Sequence, residues 1–145
     1  MTDSCAECGA AGEWGSCVDL FGALLALDHE RRQPWAGHHA LNVACYLLQH
    51  PSAAAKSDAV ELLDLVEAYL RDGLAEVRRR TEAAVARNRR GELPRSLHRG
   101  LDDTGGGPMS HTIADVAVDG TFPADGYENR MHAWATAVVT RHKAR

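Results

Sequence analysis

The chain has 145 residues, 45% hydrophobic and 25% charged, with a formal net charge of −4. That balance describes one ordinary globular domain with a single core and excludes a disordered chain. The acidic balance argues against a nucleic-acid partner, whose binding face would be basic. The run "RRRTEAAVARNRR" is read as a solvated helix face.

The N-terminal "MTDSCAECGAAGEWG" has neither helical nor alternating periodicity and reads as a knuckle or loop. Ser16 is placed to cap a helix over residues 17–30, with Leu20, Phe21, Leu24, Leu25 and Leu27 recurring at helical spacing. Its apolar stretch "LFGALLAL" is far shorter than the roughly 20 residues a membrane span requires, and no basic leader precedes it. A cytoplasmic setting follows as the expectation, with cysteines held reduced.

Pro34 and Gly37 break the first helix, and a second is predicted over 38–49, stopped by Pro51. A third follows in "SAAAKSDAVELLDLVEAYLRDG", with Ser57 as its expected cap and Leu62, Leu63, Leu65, Val66, Tyr69 and Leu70 as its buried stripe. Gly73 separates it from a more polar helix running from Leu74 to about Arg90. Residues 91–108, including "DDTGGGP", read as loop. Thr112 and Asp115 then stand at capping-box spacing, and a last helix over 126–142 places Met131, Trp134, Ala135 and Val138 on one side. The predicted architecture is all-α: one domain, a four- or five-helix bundle entered through a zinc-knuckle-like loop.

Two constellations carry chemistry. Cys5 and Cys8 form Cys-x-x-Cys followed by Gly9, with Cys17 further on, and two thiolates at that spacing grip one tetrahedral ion. Three thiolates leave a fourth position, for which His39, His50, His111 and carboxylates are candidates. Cys45, among apolar neighbours, is expected to be a small buried hydrophobe.

The second constellation is "HHALNVACYLLQHP", residues 38–51. His39, Tyr46 and His50 share one side of this helix, with Asn42 and Gln49 on the flank. His39 and His50 lie about 16 Å apart along the axis, so one ion cannot take both. The predicted division makes His39 the metal ligand with Cys5, Cys8 and Cys17, and groups His50, Tyr46 and Gln49 as a proton-transfer cluster. His38 is expected at a solvent-facing edge, His29 as a cap suited to a helix C-terminus, and His98, His132 and His142 as isolated.

Taken together, "CAECGA", Cys17, "HALNVACYLLQHP", "TIADV" and the terminal Trp-bearing helix resemble a family of small bacterial proteins of unknown function. Its members open with Cys-x-x-Cys-Gly-Ala and carry His-x-x-x-Val-x-x-Tyr-x-x-Gln-His-Pro. Cys5, Cys8, Cys17, His39, Tyr46, Gln49, His50 and Asp115 stand at its motif positions, while Tyr127 replaces a histidine early in the last helix. A faint likeness to DinB-type metal-binding bundles is one of helix arrangement only.

The expected function is a small zinc metalloenzyme acting on a small molecule, with hydrolase, lyase or cyclase-type chemistry. The alternative is a non-catalytic zinc-stabilised module that binds, regulates, or senses redox state or metal. A small-molecule ligand and a homodimer are the partners left open.

Overall fold

In the computed structural model, residues 4–91 and 109–143 are described; the loop reading of 92–108, with His98, lies outside them. The described residues form six helices and no strand: α1 Cys17–His29, α2 His39–Gln49, α3 Ala59–Asp72, α4 Leu74–Arg89, α5 Ile113–Ala117 and α6 Tyr127–Lys143. The all-α expectation holds, with a helix count slightly above the expected one. None is long and apolar enough to cross a membrane.

Local signals set most helix ends. Ser16 accepts from the Asp19 amide and starts α1. For α3 the cap is Asp58 in place of the expected Ser57, its carboxylate accepting from the Glu61 amide. A charged acceptor one residue nearer the helix serves the same orphan amides. Gly73 ends α3 with φ of 87°, a left-handed backbone where a side chain is strained, and α4 begins at once on the other side of it. Thr112 and Asp115 complete the capping box read from their spacing, the Asp115 carboxylate accepting from the Thr112 amide at 2.8 Å.

The core lies where α2 is packed on several sides, touching α1, α3, α4 and α6. Leu41, Ala44, Cys45 and Leu48 meet Val66 of α3 and Met131, Trp134, Ala135 and Val138 of α6 in one cluster. The predicted stripe of α6 is thus the buried one. On α3 only Val66 of the predicted stripe is fully buried; the others pack partly against the cluster. Because α2 is surrounded, its polar side is buried along with its apolar side, which is why Asn42, Gln49 and His50 are all shielded from solvent. Buried polar groups are costly unless paired, so each must find a partner or a ligand.

The helix carrying the basic run is exposed along most of its length, with only Val77 buried. Glu76 pairs with Arg79 and Arg80, and Arg80 also reaches Asp64 at 2.7 Å. This is the solvated, ion-paired face expected from the sequence.

Candidate metal centre

Residues 30–38 connect α1 to α2, and the contacts of Cys17 with His50 and of Asp28 with His39 show that the two helices run antiparallel. Cys17 at the start of α1 therefore lies beside the end of α2, and Asp28 near the end of α1 lies beside the start of α2. This geometry assigns the two motif histidines to opposite ends.

At the end holding Cys17, the N-terminal segment turns back on itself. The Gly9 amide donates to the Cys5 carbonyl and the Cys5 amide to the Ala10 carbonyl, each at 2.8 Å, with Gly9 at φ of 82°. Glu7 clasps Ser52 beyond α2, accepting from its amide at 2.9 Å and its hydroxyl at 3.0 Å. The Met109 amide donates to the Cys8 carbonyl, closing the knuckle from a third direction. These ties bring Cys5, Cys8, Cys17 and His50 together, with one donor atom from each lying within 4.8 Å of all the others. They are positioned to bind a metal ion.

The internal geometry fits that role. Cys8 Sγ and Cys17 Sγ are 3.6 Å apart, close to the roughly 3.8 Å edge of a tetrahedron with metal–sulfur bonds near 2.3 Å. His50 Nδ1 lies 2.7 Å from the Tyr46 carbonyl, and because a carbonyl only accepts, Nδ1 must carry the proton. That fixes the tautomer and leaves Nε2 as a lone-pair donor. This nitrogen is buried and has no hydrogen-bond partner. A carbonyl that orients a histidine from behind is a recurrent support for metal ligation.

The electrostatics reflect four donors crowded together. The Cys8 thiol is pulled down to about 4, chiefly by hydrogen bonding with Cys17, against the opposing effect of burial. The Cys17 thiol is pushed far up by the same contact and by burial. Burial alone lowers His50, but the Cys8 sulfur and the Tyr46 carbonyl outweigh it and raise the imidazole to about 9.

The fourth donor is therefore His50, where the sequence pointed to His39. His39 stands at the opposite end of α2, its ring exposed and its Nδ1 bonded to Asp28. The two histidines stand at opposite ends of α2, His50 with the three cysteines and His39 with Asp28. The missing signal was topological: the antiparallel packing of α1 and α2 pairs residue 17 with residue 50, and the spacing of residues along either helix does not carry that pairing.

The predicted proton-transfer cluster is divided as well. Tyr46 stays beside the metal donors, stacked on Phe21 at 4.0 Å and on His50 at 4.1 Å, so three rings form a column. Burial raises its phenol, with the nearby Cys17, Cys5 and Glu7 adding to the effect. Gln49 is directed away: its Nε2 donates to the His111 carbonyl at 2.7 Å and its Oε1 accepts from Trp134 Nε1 at 2.8 Å. Both ends of the amide are used in holding α2 to α6 and to the segment before α5. Asp115 is spent on its cap, and His111 stays outside the group of four donors.

His38, expected at a solvent edge, is buried edge-on against Tyr127 at 5.3 Å, because α6 covers the start of α2. Burial lowers its imidazole. Tyr127 donates to Asn42 Oδ1 at 3.1 Å, so the residue standing where the resemblance anticipated a histidine is hydrogen-bonded within the core. Cys45 is fully buried, its thiol pushed up by desolvation, as the plain hydrophobic reading anticipated.

Beside the four donors opens a cavity of about 290 Å³, lined by Cys5, Cys17, Tyr46 and His50 together with Glu7 and Ser52.

Fold and site define a small all-helical protein with a Cys3His donor group joining its N-terminal knuckle to a helical hairpin. The chain belongs to the family of unknown function DUF5946, whose family model matches residues 3–143. No curated protein and no solved structure matches it, so the likeness to DinB-type bundles has no structural match behind it.

Proposed function

We propose that this is a zinc-binding protein in which the ion fastens the N-terminal knuckle to the α1–α2 hairpin. The observation that supports this most is His50 Nε2, buried without a hydrogen-bond partner in reach of three sulfurs. An apolar or empty neighbourhood would leave that nitrogen uncompensated; a cation satisfies it and all three sulfurs at once. Three thiolates and an imidazole in tetrahedral range are the donor set of structural zinc, and four protein donors fill its coordination. The four cysteines are all free thiols, which fits a reducing cytoplasm.

A second reading, a metalloenzyme acting on a small molecule, is favoured by the cavity that opens on three of the four donors. Zinc there would supply Lewis-acid polarisation once one donor yields its place, and half-buried Cys5 is the donor closest to solvent. Of the residues expected to catalyse, Tyr46 keeps a hydroxyl without a hydrogen bond at the cavity, while His50 is a ligand and Gln49 is occupied. The accessible proton-carrying group is then the Tyr46 phenol.

Elemental analysis of the purified protein tests both. One zinc per chain is expected in the wild type and in His39→Ala, with loss or marked weakening in His50→Ala. Absence of zinc from the wild type, or full zinc in His50→Ala, sinks the assignment. Cobalt substitution separates the two readings. A tetrahedral thiolate spectrum indifferent to added azide supports the structural role, and one that responds supports the open site.

A further inference from the structure

The other end of the hairpin holds a second group of polar side chains that the metal centre does not use. Asp28 sits in the last turn of α1, where the helix dipole disfavours a carboxylate, and its side chain is only 8% exposed. Its single side-chain partner is His39, whose Nδ1 lies 2.5 Å from Oδ2. A carboxylate accepts, so Nδ1 carries the proton and Nε2 faces outward on a ring that is 65% exposed. Nε2 has no hydrogen-bond partner among the described residues.

This imidazole lines a cleft of about 710 Å³ formed where α1 ends and α2 begins. Leu25 contributes an apolar wall, the Arg78 guanidinium packs over Gly37 at the rim, and His29 and Arg31 line the same cleft. Arg32, by contrast, is taken up by Glu30 and the face of Trp35, whereas the Arg31 guanidinium has no ion pair among the described residues. The one carboxylate of the cleft is already engaged by His39, so the unmatched charge facing the space is positive.

A purely structural tie between the helices would not call for a buried acid at the wrong end of a dipole, nor for a free cation beside it. An acid that fixes one imidazole nitrogen and presents the other to a cleft is the arrangement by which histidines are made ready to bind or exchange protons with a ligand.

We propose that this cleft is a binding site for a small oxyanion, a phosphate or a carboxylate. Arg31 meets the ligand's negative charge, and His39 Nε2 hydrogen-bonds to it, held in orientation by Asp28. The site is separate from the cysteine cluster and does not depend on the metal assignment.

The test is an NMR titration of the histidine rings of the full-length protein as purified, with inorganic phosphate and with acetate, against sodium chloride at matched ionic strength. A saturable shift of the His39 ring with either anion, absent with chloride, supports the site, and the better ligand names the class. Arg31→Gln should weaken that binding about tenfold, the scale of one charged hydrogen bond. His39→Gln should weaken it as well, and Asp28→Asn should weaken it while releasing the ring from its single tautomer. Should Asp28→Asn fail to fold, the two exposed variants carry the test. Identical shifts with chloride, or wild-type titration in both Arg31→Gln and His39→Gln, overturn the proposal. Zinc content, measured on the same samples, should stay unchanged throughout.

Discussion

Gln49 and Tyr46 sit three residues apart on one helix and were expected to act together, yet their surroundings give them different work. Replacing Gln49 with Ala strands Trp134 Nε1 and the His111 carbonyl and opens a void in a fully buried position. A loss of about 2–4 kcal/mol in unfolding free energy is expected by urea titration, with zinc content intact. Tyr46→Phe keeps the stack between Phe21 and His50, so stability and metal should stay near wild type. Tyr46→Ala removes a buried ring and should cost about 3 kcal/mol. A large loss in Tyr46→Phe would instead assign the hydroxyl a stabilising contact beyond the ring stack. Residue types pointed correctly to a polar, hydrogen-bonding α2; which atom each amide or ring would meet depended on helices α5 and α6, far away in sequence.

Helix ends are the scale at which the sequence was most legible, because a cap is a contact between residues two or three apart. Thr112→Ala should destabilise by about 1 kcal/mol, and calorimetry of the metal-loaded protein would read it as a lowered Tm. The error over Ser57 and Asp58 is of one residue and arises because both side chains can accept from the first turn. On α4, hydrogen bonds from Arg79 and Arg80 hold the Glu76 carboxyl down at about 2 from an ordinary 4.5. A depressed carboxyl contributes stability that is full above its unfolded value and is lost as pH falls toward the folded one. Urea midpoints should therefore fall more steeply between about pH 4.5 and 2 in the wild type than in Glu76→Gln, and salt should shrink the difference because the Arg79 side chain is solvent-exposed. Equal slopes in the two proteins would remove Glu76 from the acid response.

For the whole molecule, the N-terminal knuckle has little of its own to hold it: two backbone turns, the Glu7–Ser52 clasp and the Met109–Cys8 contact. Removing the metal with a chelator should raise hydrogen exchange at the amides of Cys5, Gly9 and Ser52, while amides of α2 and α6 in the core stay protected. Uniform exchange across the chain would instead mean that the ion supports the entire fold. What the sequence determined by itself was everything with a short reach: the helices, their breaks, the buried stripe of α6, and Cys-x-x-Cys with Cys17 as three thiolates for one ion. Helical periodicity and thiolate spacing are local properties, and they survive without knowledge of the fold. Only the tertiary structure decided which histidine joins those thiolates. The antiparallel hairpin brings Cys17 to His50 and Asp28 to His39, so the two ends of "HHALNVACYLLQHP" serve two different sites, and helix direction in space is not written into the spacing of residues along one helix.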